Sequence, residues 1–197
     1  MRPTRAAPLP VPDRRRLLLG GAALLAAGLL PGRVRAAEVD AGVVAAPAAE
    51  RWLELHNTHT GEQLAVAYRA ASGFVATAVE RLNWLLRDHR ANVAHPIDAP
   101  LFDQLADLAT AAGVEPRFEI ISGYRSPVTN SQLADASSGV ARHSLHMEGR
   151  AIDVRLRGVS CATLRDLALQ AGRGGVGYYR RSDFVHLDTG RVRAWAG

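Results

Sequence analysis

The sequence predicts an α+β fold. Two observations carry this reading. Short stretches that alternate apolar and polar residues recur along the chain, at Trp52–His56, Leu64–Tyr68, Arg117–Gly123 and Ala151–Leu156. Longer stretches with helical spacing stand between and after them, at Ala76–Arg90, Pro96–Ala112 and Cys161–Gln170. The length, 197 residues, suits one domain.

The chain opens with an export pattern. Arg14-Arg15-Arg16 precedes the apolar run Leu17–Leu30, and Val34-Arg35-Ala36 fits a cleavage site before Ala37. The run is 14 residues long and holds Gly20 and Gly21, which makes it short and weak for a bilayer span. A twin arginine ahead of a weak apolar run fits a Tat-type signal over residues 1–36, so the Tat export machinery is an expected partner. A Sec signal with extra arginines and an uncleaved anchor are the competing readings. With the signal removed, no stable membrane anchor is expected and the protein would be periplasmic. The basic balance belongs largely to this leader. All 24 basic residues are arginines, and seven lie in the first 36 residues. From Ala37 onward 17 arginines face 18 acidic residues, a formal charge of −1, which argues against nucleic acid as a partner. Cys161 is the single cysteine, so no internal disulfide can form, and a buried structural thiol is expected there.

Residues 37–50, rich in Ala, Val and Pro, read as a flexible lead-in to a domain over 51–197. Arg51–Arg69 reads as a hairpin turning at Asn57-Thr58-His59-Thr60-Gly61. His56 and His59 fall at that turn, where metal ligation is not expected. Val79, Leu82, Leu85 and Leu86 make one apolar face of the first helix, and Arg87–Arg90 its polar end. In the second helix Asp98 is a candidate N-cap, Pro100 an early-turn residue, and Gly113 the stop. His89 and His95 read as solvated loop residues. Arg125 follows the strand at Arg117–Gly123, where it could reach a cleft or make a surface ion pair. Thr129–Ala136 suits a short helix. Gly172–Gly177 is a glycine-rich connection that lacks the Lys-Ser/Thr ending of a phosphate loop. Tyr178 begins a final hairpin.

The chemistry concentrates in two blocks. In Ser144–Asp153 a histidine and an aspartate stand seven residues apart with Gly149 between them. Strand alternation sends Ile152, Val154 and Leu156 to one face, and Ala151, Asp153 and Arg155 to the other. The second block is Asp183-Phe184-Val185-His186-Leu187-Asp188. His146, Asp153 and His186 together make three protein ligands for Zn²⁺ and leave a fourth position open, as in catalytic zinc sites. His143 is a rival ligand. Glu148 reads as a solvated turn residue. No His-Glu-x-x-His motif is present, which excludes a helical zinc site of the thermolysin kind.

Ser-x-His-x-x-Gly-x-Ala-x-Asp, followed by an acidic residue three before a histidine, resembles the zinc D-alanyl-D-alanine peptidases. These are relatives of the VanX dipeptidase, phage endolysin peptidases and the hedgehog signalling domain. Asn57–Glu62 and Ser122–Pro127 bring the chain closer to the exported murein endopeptidase branch, and the likeness runs from about Trp52 to Trp195. The resemblance implies a small antiparallel β-sheet carrying the zinc ligands, with helices packed on one side. It implies peptidoglycan stem peptides as substrate and cleavage of cross-link bonds. D-Ala carboxypeptidase or dipeptidase action, or a non-catalytic zinc module that binds cell wall, are the alternatives. It also assigns roles: His146, Asp153 and His186 as ligands, Asp183 as the group that moves protons, and Arg125 as a substrate contact. Ser144 would orient a ligand by hydrogen bonding, and Asp188 competes with Asp183 as base or supports a ligand.

Overall fold

A computed structural model describes residues 50–136 and 140–197. The signal segment 1–36 and nearly all of the lead-in 37–50 lie outside the described residues. Within them the fold is α+β. Its strands are β1 (Arg51–Asn57), β2 (Gln63–Ala70), β3 (Gly73–Phe74), β4 (Arg117–Ser122), β5 (Ala151–Leu156), β6 (Gly175–Tyr179), β7 (Phe184–Asp188) and β8 (Arg193–Ala196). Its helices are α1 (Ala76–Leu85), α2 (Pro100–Ala111), α3 (Pro127–Ala136) and α4 (Cys161–Ala171), with a 3₁₀ turn at Leu145–Glu148.

The strands form one open sheet in the order β3-β2-β1-β4-β5-β7-β6-β8. It is wider than the small antiparallel sheet expected, and mixed: β1 runs parallel to β4, and β6 parallel to β8. The crossovers explain this. The connection from β1 to β4 carries a hairpin partner and two helices, which is long enough to return the chain in the same direction.

Strand alternation divides the sheet into two faces. Leu53, Leu55, Tyr68, Phe118, Ile120, Ile152, Val154, Leu156, Val176, Val185 and Leu187 are buried in one apolar core with Leu82, Leu101, Leu105 and Leu164 from the helices. α1 packs on β2, α2 on β1 and β5, and α4 on β5, β6 and β7. The opposite face of β5 and β7 carries Asp153, His186 and Asp188 instead.

Helix ends differ from the sequence reading for identifiable reasons. α1 stops at Leu85 rather than Arg90. Other elements take the carbonyls that a longer helix would use: Asn57 Nδ2 donates to Leu85 O at 3.0 Å, and Tyr124 N to Leu86 O at 2.8 Å. Asp88 then organises a turn, its Oδ1 accepting from Arg90 N and Ala91 N while Oδ2 accepts from Ser126 N. Asp98 is not the N-cap of α2. That place belongs to Ala99, and the Asp98 carboxylate accepts instead from the Thr189 hydroxyl across the fold. α4 has a cap the sequence reading did not name, Ser160, whose hydroxyl accepts from Thr163 N.

Candidate metal centre

Three elements deliver the donors. β5 and β7 are antiparallel neighbours with Asp153 opposite His186 in register, so both side chains leave the same face. His146 arrives on the 3₁₀ turn before β5. That turn begins at Ser144, whose hydroxyl accepts from His146 N at 3.4 Å. It ends at Gly149, where φ is +67° and a Cβ would stand 2.1 Å from Pro96 O, so only glycine fits. Ser144 thus orients the backbone that carries the imidazole.

The donor atoms converge. His146 Nε2 lies 3.2 Å from His186 Nδ1 and 3.3 Å from Asp153 Oδ1, and His186 Nδ1 lies 2.9 Å from Asp153 Oδ1. Donors held about 2.0–2.1 Å from a tetrahedral Zn²⁺ stand roughly 3.3 Å apart, so this triangle has the size of one face of a zinc polyhedron. No other group of three His, Cys, Asp or Glu among the described residues is arranged to hold a metal.

The outward atom of each candidate ligand is tied down. His146 Nδ1 donates to Gly123 O at 2.7 Å, which leaves Nε2 as the free donor toward the centre. His186 Nε2 donates to Asp188 Oδ2 at 3.0 Å, which leaves Nδ1. Asp153 Oδ2 accepts from Arg125 Nη2 at 2.9 Å. Fixed tautomers backed by a carboxylate or a carbonyl are what metal-ligating histidines require.

The electrostatics differ between the two imidazoles. Burial pushes the His146 pKa down, helped by the charges of Arg125 and His186. Burial opposes charge on His186 too, but hydrogen bonds to Asp153 and Asp188 outweigh it and raise its pKa. Burial would raise Asp153 and Asp188, yet both carboxyls are held well below the usual range. Asp153 is held by the two imidazoles, Asp188 by His186, Arg193 and the N–H groups of Gly175 and Gly190.

Arg125 is anchored by Ser122 Oγ at 2.9 Å and lines a pocket of ≈ 390 Å³ above the donors. His143, the rival ligand, lines the same pocket from its exposed rim and is outside the donor triangle. Glu148 is exposed and pairs with Arg150. Among the other lining residues, Tyr179, Arg193 and Trp195 went unassigned in the sequence reading. For Arg193 and Trp195 the signal was the alternation of Arg193-Ala194-Trp195, a strand pattern with both large residues on one face.

Asp183 is not brought to this site. It occupies the turn before β7 with φ +51°, and its side chain is 71% exposed. Its carboxylate lies 3.5 Å from Arg155 Nε and shares a separate hollow with Glu119 and Cys161. Burial and this nearby carboxylate push the Cys161 thiol up to about 11, so the buried cysteine stays protonated. Positions three apart leave opposite faces of a strand, and the turn does not redirect Asp183 toward the metal donors.

A buried His-Asp-His triangle at the floor of an open pocket, on the sheet face opposite the apolar core, defines a metal-centre protein of hydrolase type. The family model described as peptidoglycan L,D-endopeptidase MepK matches residues 45–195, and the chain belongs to that family. Peptidoglycan L,D-endopeptidase MepK of Escherichia coli (strain K12) is 40% identical over 183 residues, covering 93% of this chain and 97% of the relative. The probable peptidoglycan L,D-endopeptidase MepK of Haemophilus influenzae is 40% identical over 185 residues, covering 93% and 95%. No solved structure gives a significant match.

Proposed function

We propose that this chain is a zinc-dependent murein endopeptidase that hydrolyses peptide cross-links between peptidoglycan stem peptides. One observation supports it above the others: three donors of the right type form a triangle of zinc dimensions beneath an open pocket. The relatives' names, L,D-endopeptidases of peptidoglycan, supply the substrate class. A structural zinc site would be closed by a fourth protein ligand. The open pocket therefore favours catalysis over a binding module.

A zinc ion held by His146, Asp153 and His186 would activate water and polarise the scissile carbonyl. The remaining roles belong to the chain. Arg125 holds Asp153 in place and presents its guanidinium to the pocket, where it suits a substrate carboxylate or the negative charge that develops on the carbonyl oxygen. Asp188 fixes the His186 ring and has no free oxygen for proton transfer, since Arg193, Gly175 N and Gly190 N occupy both. Of the side chains lining the pocket other than the ligands, His143 is the one imidazole. Lining the pocket makes it the candidate to carry a proton between water and the leaving amine. Asp183, the acidic residue expected in that role, reaches the site only if its turn rearranges over substrate.

The twin-arginine leader supports Tat-dependent delivery to the periplasm, where the substrate lies. No helix among the described residues is long and apolar enough to cross a membrane. The reading is tested by digesting purified cross-linked muropeptides and identifying products by mass spectrometry. Expected products are uncross-linked stem peptides, lost on chelation and regained with zinc. Release of terminal D-Ala alone would point to a carboxypeptidase, and sacculus binding without cleavage to a binding module.

A further inference from the structure

β6 has an unusual composition for an inner strand. Its residues alternate as Gly175, Val176, Gly177, Tyr178, with both glycines on the metal face. β6 lies between β7, which carries His186 and Asp188, and β8, which carries Arg193 and Trp195. The registers line these residues up: Gly177 is opposite His186 on one side and Trp195 on the other, and Gly175 is opposite Arg193.

Strands two steps apart in a sheet are about 9.5 Å apart, and an ordinary residue between them would keep their side chains from meeting. Here they meet. Arg193 Nη1 donates to Asp188 Oδ1 at 3.0 Å and Nη2 to Asp188 Oδ2 at 2.6 Å, a two-pronged grip. The Trp195 ring centroid is 5.1 Å from that of His186, and the Arg193 guanidinium stacks on Trp195 with its carbon 4.9 Å from the ring centroid. A Cβ on Gly177 would stand 2.6 Å from the Trp195 ring, and one on Gly175 would stand 2.3 Å from Arg193 Nη1 and 2.4 Å from Asp188 Oδ2. Both are too short for any real contact. Glycine inside a strand weakens it, and a close approach of this kind is a physical reason to keep it.

We infer that Gly175 and Gly177 form a side-chain-free channel across β6, through which Arg193 and Trp195 of β8 hold the metal ligand His186 in place, directly and through Asp188. Arg193 and Trp195 are positioning residues. The inference rests on the metal-site reading above and adds to it a strand that supplies no ligand.

The experiment uses the mature chain and reads metal, not turnover. Zinc affinity is measured by competition with a chromogenic chelator, and the ligand field by the visible spectrum of the Co²⁺-substituted protein. The variants are Arg193→Ala, Arg193→Lys, Trp195→Phe and Gly177→Val, with the neighbouring Arg191→Ala as control. Arg193→Ala and Gly177→Val are expected to weaken zinc binding about 10–100-fold, the usual effect of removing support from a metal ligand, and to shift the Co²⁺ bands. Arg193→Lys should recover part of the loss, because an ammonium keeps the charge but not the paired geometry. Trp195→Phe should give a smaller loss in the same direction, and Arg191→Ala none. Circular dichroism of each metal-free variant checks the fold. If Arg193→Ala or Gly177→Val does not fold, Arg193→Lys and Trp195→Phe decide the matter. Folded variants with wild-type affinity and an unchanged Co²⁺ spectrum would overturn the inference while leaving the metal site intact. Failure of the wild-type chain to bind zinc would overturn both.

Discussion

Asp153 and His186 face each other across β5 and β7, with Oδ1 2.9 Å from Nδ1. On the other side of the same imidazole, Nε2 meets Asp188. The ring is therefore held between two carboxylates, and one of its nitrogens is left to a metal.

The donor set predicts a stoichiometric metal that depends on each member. His146→Ala or His186→Ala should leave less than a tenth of the zinc found in wild type, because two ligands do not hold the ion tightly. Elemental analysis after dialysis measures this. Full zinc in both variants would mean a different ligand set.

Asp188→Asn replaces a charged acceptor with a neutral amide behind His186. Zinc affinity should fall about 10–100-fold, and hydrolysis at limiting zinc should fall with it, recovering at excess zinc. An activity loss that excess zinc does not rescue would assign Asp188 a direct part in proton transfer.

Asp183→Asn and His143→Gln form a matched pair. The exposed position of Asp183 beside Arg155 predicts hydrolysis within about threefold of wild type for the first. The pocket position of His143 predicts a loss of about tenfold or more for the second, toward the lower range of acid–base catalysis. The reverse order, measured on cross-linked muropeptides, would show that the turn bearing Asp183 closes over bound substrate.

Asp88 predicts an acid-sensitive step in stability. Burial would raise its pKa from 3.8, but hydrogen bonds from Thr129, Ser126 and Ala91 outweigh that and bring it to about 2. The folded value lies below the unfolded one, so the stabilisation is present above the unfolded pKa and is lost as pH falls toward the folded pKa. The contribution is about 2 kcal/mol at neutral pH. Asp88→Asn should be less stable at pH 7 and should lose less between pH 4 and pH 2, as read by urea denaturation. Parallel stability curves for the two proteins would rule out Asp88 as the source.

The leader predicts that Arg14→Lys with Arg15→Lys stops delivery of the mature protein to the periplasm. Cell fractionation measures it. Normal periplasmic protein from the double variant would move the chain to the Sec route.

Much of the metal centre was legible in the sequence because strand alternation is rigid. Once Ile152, Val154 and Leu156 are assigned to the core, Asp153 must leave the other face, and the same holds for His186 between Val185 and Leu187. Turns carry no such rule. Asp183 stands three residues before His186, and its direction depends on a positive φ that spacing does not reveal. Long-range partners were equally hidden. Asp98 has the residue type of a helix cap, but Thr189, distant in sequence, takes its carboxylate. The glycines before Tyr178 read as a connection because glycine is rare inside strands. Their alternation with Val176 and Tyr178 was the signal of a strand with one bare face.

The pairing of Asp153 with His186 would also make a bound metal a proofreader of folding. In any antiparallel pair a slip of one residue reverses which side chains share a face. A chain that misaligned β5 and β7 by one position would put Asp153 and His186 on opposite sides of the sheet, and the ion would find no pocket of donors. Only correctly aligned molecules would be loaded, so metal content after saturation and dialysis would set a lower bound on the natively aligned fraction, independently of any substrate.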